Sequence, residues 1–386
     1  MTDRAEKTAI LVATGVYGVS YPESLLNEAL IANTLDLLQI TKDVPMVDLQ
    51  VLLTNSKKLI EKTTQDFPAV EIERTEDDFH FGTHLLKIIE AYHIENLVYF
   101  GGGSGVLLDA EDANGIINLI VKNDNISVSN NFYSTDFFGV SPASKLLHSS
   151  LPEKDNRLGW VSRDAGFQPK ELVRSAKTQI DMDSPGDLIS LKLAKTGHQR
   201  LDHYLSSLKM NDSTIREILP QLTDSTCRLI IAGRIGASTW SYLEKNAACH
   251  IDLYSEGRGS YATRKNGENI PSLLGNVFEK RGAYGGLKAL LGRGTALILD
   301  TRLIFNYKGS WPTRRERFWS DLLYPSKLKT GYLKDLTETS INYPKPIVLG
   351  GHSLTSGVLY HLADIAWNVV KPRSSNVKPT QVSLDH

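Results

Sequence analysis

The sequence predicts an α/β protein of two domains, and three observations lead to this fold class. The chain has 386 residues, which at about 100–200 residues per domain allows two or three domains. Short runs of branched apolar residues alternate with segments of helical periodicity, a pattern typical of sheets covered by helices. A polar, helix-rich stretch near the middle of the chain separates two such series.

Composition and charge exclude several classes of protein. The chain holds 43 Lys and Arg against 44 Asp and Glu, a formal net charge of -1 at pH 7, and 41% of its residues are hydrophobic. These values exclude intrinsic disorder and leave no broad basic surface for nucleic acid or a membrane. With only Cys227 and Cys249, and no apolar run of the about 20 residues that cross a bilayer, the sequence predicts a reduced, cytoplasmic protein.

In the first half, strands are predicted where branched apolar residues run together, and helices where apolar residues recur three and four positions apart. Residues 8–14 (TAILVAT) are the clearest strand and residues 23–40 the clearest helix. The predicted strands are 8–14, 47–54, 70–73, 96–100 and 126–129, with a strand or hairpin at 159–166 and helices at 23–40, 83–92, 110–121 and 185–195.

The second half repeats the alternation and predicts a Rossmann-like α/β domain, because parallel strands need crossover connections between them. Its predicted strands are 228–232, 250–254, 295–300 and 346–349, and its predicted helices are 237–245, 270–291, 314–323 and 353–370. The domain limits are therefore 1–197 and 227–372, with a helical connector at 198–226 and a polar tail at 373–386 that we expect to be mobile.

Glycines follow two strands of the first domain, at the strand ends where α/β proteins bind ligands. Backbone amides in such turns can cradle a phosphate, so these positions are candidates for substrate binding. The alternative is a tight turn that needs glycine for conformational reasons alone. The spacing is not that of a P-loop. The candidates are Gly15 and Gly18 after the first strand, and Gly101, Gly102, Gly103 and Ser104 after the strand 96–100.

Two carboxylates, Asp181 and Asp183, lie two residues apart in a segment that precedes a helix. In an extended segment this spacing places both side chains on one side, an arrangement that suits a hard cation such as Mg²⁺. The alternative is that Asp183 or Ser184 caps the helix that begins near Pro185, since Asp and Ser are favoured at that position.

The string QIDMDSPGDL at residues 179–188 resembles the DxDTPxDL string of nucleotidyltransferases with the nucleotide-diphospho-sugar transferase fold, a group that includes the molybdenum-cofactor guanylyltransferases. The order of predicted strands and helices across residues 8–195 is similar as well, so the resemblance covers about half of the chain. It implies a mixed sheet in the first domain and Mg²⁺-dependent transfer of a nucleotidyl group.

The sequence departs from the family's pattern at two places. The family's first loop reads GGxSxRxGxxK, whereas residues 14–27 read TGVYGVSYPESLLN, without Arg or Lys. Gly102 or Gly103 stands where the family has an aspartate that holds the metal. Either nucleotidyl transfer has been lost, or the ligands come from other positions, such as Asp109.

Catalytic and metal-binding candidates follow from this comparison. We take Asp136 and Asp183 as the catalytic candidates, and Asp181 and Asp183 as the metal ligands. Asp136 ends the polar stretch NNFYSTD, in which Asn130 and Asn131 suit recognition of a sugar or base by hydrogen bonds. The alternative for this stretch is a turn rich in Asn and Asp.

Arginines follow successive strands of the second domain. Arg234, Arg258 and Arg302 come directly after three predicted strands, and His352 follows the last. Because the carboxyl ends of parallel strands meet at one sheet edge, we expect the three arginines to converge on one anionic ligand beside His352. The arginines of residues 314–317 (RRER) add to this site or form a solvated helix face.

The sequence therefore predicts a nucleotidyltransferase-like protein that binds a nucleotide or phosphorylated small molecule, with Mg²⁺ as cofactor. Two alternatives remain: a non-catalytic binding protein that kept the fold, and an enzyme that acts on an anionic small molecule through its second domain. Nucleic acid and membranes are not expected partners, and a homo-oligomer is compatible with the sequence.

Overall fold

A computed structural model describes residues 7–76, 79–257 and 271–369. The chain forms two compact units, one of Met1–Val19, Ser24–Met182 and Lys195–Ser207, the other of Ser20–Glu23, Asp183–Ala194 and Leu208–His386. The predicted class of two α/β parts is confirmed. Residues 183–194, assigned from the sequence to the first domain, group with the second unit. Arg258 and the tail 373–386 lie outside the described residues.

The first unit is built on a seven-stranded sheet of order β3-β2-β1-β4-β6-β5-β7. Strand β6 runs antiparallel to its neighbours β4 and β5, whereas the other pairs are parallel, so the sheet is mixed as expected. The strands are β1 (Lys7–Thr14), β2 (Leu49–Thr54), β3 (Glu71–Arg74), β4 (Ile94–Gly101), β5 (Ile126–Ser129), β6 (Phe137–Ser141) and β7 (Gln168–Glu171).

Helices cover both faces of this sheet, which explains the uninterrupted apolar run of β1. Ile10 and Val12 belong to one buried cluster, and Ala9 and Leu11 belong to the other, because successive side chains of a strand point to opposite faces. The helices are α1 (Tyr21–Lys42), α2 (Lys57–Asp66), α3 (Phe81–Tyr92), α4 (Ala110–Val121), α5 (Leu158–Asp164), α6 (Ala176–Gln179) and α8 (Gln199–Ser207), with 3-10 turns at Ala143–His148 and Asp155–Arg157.

The second unit is built on a four-stranded sheet of order β11-β10-β8-β9, in which every pair is parallel. Its strands are β8 (Arg228–Gly233), β9 (His250–Ser255), β10 (Ala296–Asp300) and β11 (Ile347–Gly350). Its helices are α7 (Pro185–Leu191), α9 (Ser213–Ile218), α10 (Ala237–Asn246), α11 (Leu273–Leu291), α12 (Arg302–Lys308), α13 (Arg314–Asp321), α14 (Tyr332–Asn342) and α15 (Gly357–Val369), with 3-10 turns at Leu219–Thr223, Pro325–Lys327 and Ser353–Thr355.

One predicted element has the wrong type, and two strands, β6 and β7, were not predicted. The segment 159–166, predicted as a strand or hairpin, lies mostly in the helix α5, whose buried residues Leu158 and Ser162 are one helical turn apart. No strand was predicted over the residues of β6, although all five of them are buried. Among the described residues, no helix is both long and apolar enough to span a membrane.

Alanine substitutions at two helical glycines are expected to change stability in opposite directions. A Cβ added at Gly82 in α3 would lie 2.9 Å from the Pro152 carbonyl oxygen, and overpacking of this kind costs about 1–3 kcal/mol. A Cβ added at Gly115 in α4 would have nothing within 4 Å, and Ala there should stabilise the exposed helix by about 0.5–1 kcal/mol. Urea unfolding of Gly82→Ala and Gly115→Ala measures both effects, and shifts of the same sign would contradict this packing.

Candidate functional site

The glycine loop after β4 uses its backbone amides within the protein. The Gly101 amide donates to the Asp136 carbonyl oxygen at 2.9 Å, and the Gly102 amide donates to the Ala13 carbonyl oxygen at 2.9 Å. The Ser104 amide and hydroxyl both donate to the Gly101 carbonyl oxygen, at 2.9 and 2.8 Å. These donors are therefore not available to a phosphate, and the loop has the character of a tight turn.

Glycine is required in this loop because other segments approach it closely. A side chain at Gly102 would collide with Thr14, and one at Gly103 would collide with the Asp181 carboxylate. The Met182 amide also donates to the Gly103 carbonyl oxygen at 2.9 Å. The loop thus holds the segment 181–182 against the end of β4.

The first loop, after β1, has a similar constraint. The Tyr17 ring lies over Gly15, so that a Cβ added there would be 2.6 Å from the tyrosine hydroxyl. Gly18 has φ +76°, a conformation that side chains with a Cβ adopt rarely. The Val16 amide donates to Asn55 Oδ1 at 2.9 Å and the Tyr17 amide to Asn27 Oδ1 at 3.3 Å. Side chains of the protein thus engage these two amides.

The charges of three carboxylates of the first unit act on one buried tyrosine of β4, and one of the three contacts its hydroxyl. The Tyr99 hydroxyl donates to Asp155 Oδ2 at 2.6 Å. Burial raises the pKa of Tyr99 well above its usual range, and the negative charges of Asp155, Asp181 and Asp136 raise it further. Asp136 and Asp181 are predicted site residues, whereas Asp155 was missed. It lies 56 positions from Tyr99 in a turn-rich segment, and no local pattern marks it.

The predicted substrate-binding asparagines make hydrogen bonds that hold the turn together. Asn130 is fully buried, and its amide nitrogen donates to Asp136 Oδ2 and to the Thr178 carbonyl oxygen, both at 2.9 Å. Its oxygen accepts from the Asp136 and Phe137 amides at 2.9 and 3.2 Å. Asn131 Oδ1 likewise accepts from backbone and side-chain donors. The fold therefore explains Asn130 without a ligand.

The two carboxylates of the DxD string belong to different units, Asp181 to the first and Asp183 to the second. Ser184 is the N-cap of α7, and its backbone amide donates to Asp187 Oδ2 at 2.8 Å, as a capping role requires. The Asp183 amide donates to the same oxygen at 3.0 Å. Asp109 caps α4 and forms an ion pair with Lys177.

The side chains that the fold brings together decide whether the chain could hold Mg²⁺. In the parts of the chain that the structure describes, no group of three or more His, Cys, Asp or Glu side chains is arranged as a metal site. This donor set does not exclude Mg²⁺, because that ion keeps several waters and is often held by one or two carboxylates together with the phosphates of a substrate. Asp136 and Asp181, beside Tyr99, supply such carboxylates.

In the second unit, a buried aspartate joins the ends of two adjacent strands. Asp300, at the end of β10, is fully buried, and its Oδ2 accepts a hydrogen bond from Arg234 Nε at 3.0 Å. Its Oδ1 accepts from the Arg302 backbone amide at 3.0 Å. Burial alone would raise the pKa of Asp300, but the Arg234 and Arg302 charges outweigh it, and the pKa is lowered. The structure thus brings two of the three predicted arginines together.

Arg302 lies across the end of the neighbouring strand β11. A side chain at Gly351 would collide with its guanidinium group, and Arg302 Nη2 is 3.9 Å from Asp183 Oδ2. The charges of Arg234 and Arg302 both act on His352, the next residue. Burial is the main cause that lowers the pKa of His352 to about 4, and the Arg234 charge is the second. The imidazole is therefore neutral at neutral pH.

Two residues of this cluster, Asp187 and Asp321, were not predicted with it, and a third, Arg317, was left open by the sequence. Arg317 in α13 is charge-coupled to Arg302, and it lies in the RRER run that sequence reasoning could not separate from a solvated helix face. Asp187 and Asp321 are buried, with 1% and 8% of their surface exposed. Burial raises the pKa of Asp187 to about 7 and that of Asp321 to about 8. Asp187 belongs to the string QIDMDSPGDL and Asp321 lies at the end of α13, and neither was assigned to this site from the sequence.

Two cavities in the described part of the chain lie outside the carboxylate group of the first unit and the arginine cluster of the second. A cavity of about 20 Å³ borders Asp187 and Asp321, which is room for about one water molecule. A cavity of about 730 Å³ lies in the first unit between α1, α2 and α8. None of the predicted site residues lines either cavity. Asp187, which lines the smaller one, was not among the predicted site residues.

Comparison with known proteins identifies similar folds. The model resembles a cytidylyltransferase from Leptospira borgpetersenii (16% identity, 53% of this chain and 99% of that chain, TM-score 0.36) and a nucleotidyl transferase from Methanothermobacter thermautotroptrophicus (12%, 52% and 99%, 0.37). It also resembles a 4-diphosphocytidyl-2C-methyl-D-erythritol synthase (15%, 48% and 96%, 0.33). No protein-family model and no curated protein matches the chain.

These similarities extend over about half of the chain, and at TM-scores of 0.36 and 0.37 they support no conclusion about its fold. At identities of 16% and 12% they say nothing about the activity of this chain. The finer resemblance to molybdenum-cofactor guanylyltransferases stays a prediction.

Asp321→Asn is expected to flatten the dependence of stability on pH. The folded-state pKa of Asp321 is about 8 against about 3.9 in an unfolded chain. The stabilisation that proton binding by Asp321 gives the folded state is therefore complete below about pH 4. It is lost as the pH rises through the folded-state pKa. Since Asn does not titrate, the slope of the unfolding free energy against pH should change by about 1.4 kcal/mol per pH unit between those values. Urea unfolding at several pH values measures it. Exposed Asp43→Asn is the control, and an unchanged slope in Asp321→Asn would contradict the effect of burial.

Proposed function

We propose that this chain is a nucleotidyltransferase-like protein whose first unit binds a nucleotide together with Mg²⁺ at the carboxyl edge of its mixed sheet. The observation that carries the proposal is the group of carboxylates beside Tyr99, formed by Asp136, Asp155 and Asp181. All three act on a single hydroxyl at the strand end where α/β proteins bind ligands. The DxD string that resembles the nucleotidyltransferases supplies one of them, Asp181.

The sign of the charge at this edge determines the role of the metal. A triphosphate brought beside three carboxylates is repelled unless a cation lies between them. The first loop, residues 14–20, contains no Lys or Arg, and the amides of Gly101 and Gly102 are already bonded within the protein. Nucleotide binding at this edge should therefore depend on Mg²⁺.

The roles of the chain's own residues follow from this arrangement. Asp136 and Asp181 would hold the ion, and Asp155 is kept in place by the Tyr99 hydroxyl. When bound, Mg²⁺ would supply neutralisation of charge on the phosphates. Asn130 positions the Asp136 carboxylate through its amide nitrogen at 2.9 Å. Asp183 was expected beside Asp181, but it interacts with Arg302 and Asp187 in the second unit, so we assign it no role here.

Nucleotides are expected to stabilise the full chain only when Mg²⁺ is present. Thermal unfolding with CTP, GTP, ATP or UTP, each in Mg²⁺ or in EDTA, measures the effect as a rise in Tm. Asp181→Asn and Asp155→Asn should each weaken nucleotide binding about tenfold or more, because each removes a charge worth about 1.4 kcal/mol to the bound cation. Asp43→Asn, an exposed aspartate of the same unit, should bind as the unsubstituted chain does.

Three outcomes separate the proposal from its alternatives. Stabilisation by a nucleotide in EDTA that equals the stabilisation in Mg²⁺ would contradict a metal-dependent site. Stabilisation by any nucleotide that Asp181→Asn leaves unchanged would place binding elsewhere. Binding without release of pyrophosphate in the presence of candidate acceptor alcohols and phosphates would favour a non-catalytic binding protein that kept the fold.

A further inference from the structure

We propose that the second unit carries its own binding site, for the phosphoryl group of a phosphorylated small molecule, at the carboxyl edge of the four-stranded sheet. The site consists of Arg234, Arg302, Arg317 and His352. It needs neither the nucleotide nor the Mg²⁺ assigned to the first unit, so it stands independently of that proposed function.

The first step of the argument is that Arg234 is fixed in place. Asp300 accepts a hydrogen bond from its Nε at 3.0 Å, and only 12% of the Arg234 side chain is exposed. Gly233 allows this approach, because a Cβ there would lie 2.7 Å from Asp300 Cβ. The planar guanidinium group therefore presents its outer nitrogens in a fixed direction, as bidentate recognition of an oxyanion requires.

The second step is that three buried nitrogen atoms of the cluster have no hydrogen-bond partner among the described residues. Arg234 Nη2, Arg317 Nε and His352 Nδ1 are buried, and within the described residues none of them forms a hydrogen bond. Leaving a buried polar group unsatisfied is costly, and more so for a charged group. Three such groups on neighbouring elements indicate a common acceptor, and an oxyanion is the acceptor that fits arginines.

The third step is the balance of charge. Three guanidinium groups are held in the cluster, and Asp183 and Asp300 are the carboxylates whose charges act most strongly on Arg302. Asp187 and Asp321 are the further carboxylates that act on it, and burial raises the pKa of both to about 7 and 8. They therefore carry much less negative charge than ordinary aspartates at neutral pH, which leaves the cluster an excess of positive charge.

The fourth step selects a phosphoryl group over a carboxylate. Helix α10, of ten residues, begins at Ala237, and its N-cap Gly236 provides no side-chain cap. The helix thus starts three positions after Arg234, at the same end of β8, and its N-terminus favours negative charge. Donors from Arg234, Arg302 and Arg317 together suit the three oxygens and double charge of a phosphate monoester better than a single carboxylate.

Binding should be linked to protons. Asp321 is acted on by Arg302, Arg317, Asp187 and Asp300, and a bound anion adds a further negative charge to these neighbours. The anion therefore favours protonated Asp321, and affinity for an anion of constant charge should fall as the pH rises from about 6 to about 9. Sulfate is such an anion, whereas inorganic phosphate itself titrates in this range.

The test uses the full chain in EDTA, so that nucleotide–metal binding does not contribute. Calorimetric titration with inorganic phosphate and sulfate, against chloride at matched ionic strength, should show a binding site in the unsubstituted chain. Arg302→Gln and Arg317→Gln should each raise Kd at least about tenfold. Arg234→Lys is a third variant, chosen because it keeps a cation beside buried Asp300. Circular dichroism and Tm verify that each variant folds.

Arg228→Gln is the matched control. Arg228 begins β8, at the opposite end of the strand from Arg234, where it pairs with Asp252 at 2.9 Å. Its substitution should leave the affinity for phosphate and sulfate unchanged. Asp181→Asn should also leave it unchanged, since Asp181 belongs to the first unit.

Several results would overturn the proposal. Absence of saturable phosphate or sulfate binding to the folded chain would reject the site. Equal loss of affinity in Arg228→Gln and Arg302→Gln would show a general effect of surface charge. Acetate binding as tightly as phosphate would reject a phosphoryl site in favour of a carboxylate site. Loss in Asp181→Asn alone would assign the anion response to the first unit and leave the nucleotide proposal intact.

Discussion

The buried carboxylate of Asp300 is the constraint on which the edge of the four-stranded sheet depends. It is fully buried and sits at the end of the central strand β10, between β8 and β11. A charge in that position is tolerated only when it is paired and hydrogen-bonded. Arg234 and the Arg302 amide meet this requirement, and in doing so they determine how the loops after β8 and β10 leave the sheet.

The two units gather charges of opposite sign at their strand ends. The first gathers carboxylates about Tyr99, and the second gathers arginines about Asp300. The formal net charge of -1 therefore conceals two local electrostatic fields of opposite sign. The two proposals assign a different ligand to each edge: a hard cation or a cation-bearing nucleotide to the first, and a free oxyanion to the second.

Short-range patterns accounted for most of the fold. Helix α4 and strand β5 have the predicted bounds, because the Asp109 cap and local apolar periodicity mark them within a few residues. Strand β6 was missed although its partner β5 is close in sequence, because its short run FFGVS contains a glycine and directly follows the polar stretch NNFYSTD. The same limit applies to the sites. Arg234 and Arg302 follow adjacent parallel strands, so a general rule of α/β folds places them together, whereas Asp155 and Arg317 reach their sites through tertiary packing that no local pattern records.

The hydrogen bond between Arg234 Nε and Asp300 also bears on how fast and how selectively this edge can act. An arginine side chain gives up about 2 kcal/mol of rotamer entropy when it is ordered, and for Arg234 this loss occurs during folding. An anion at the proposed site would therefore not bear the cost of ordering this one side chain. A guanidinium group fixed in this way discriminates between ligands by the spacing of their oxygens, and the difference appears in the time that each ligand remains bound.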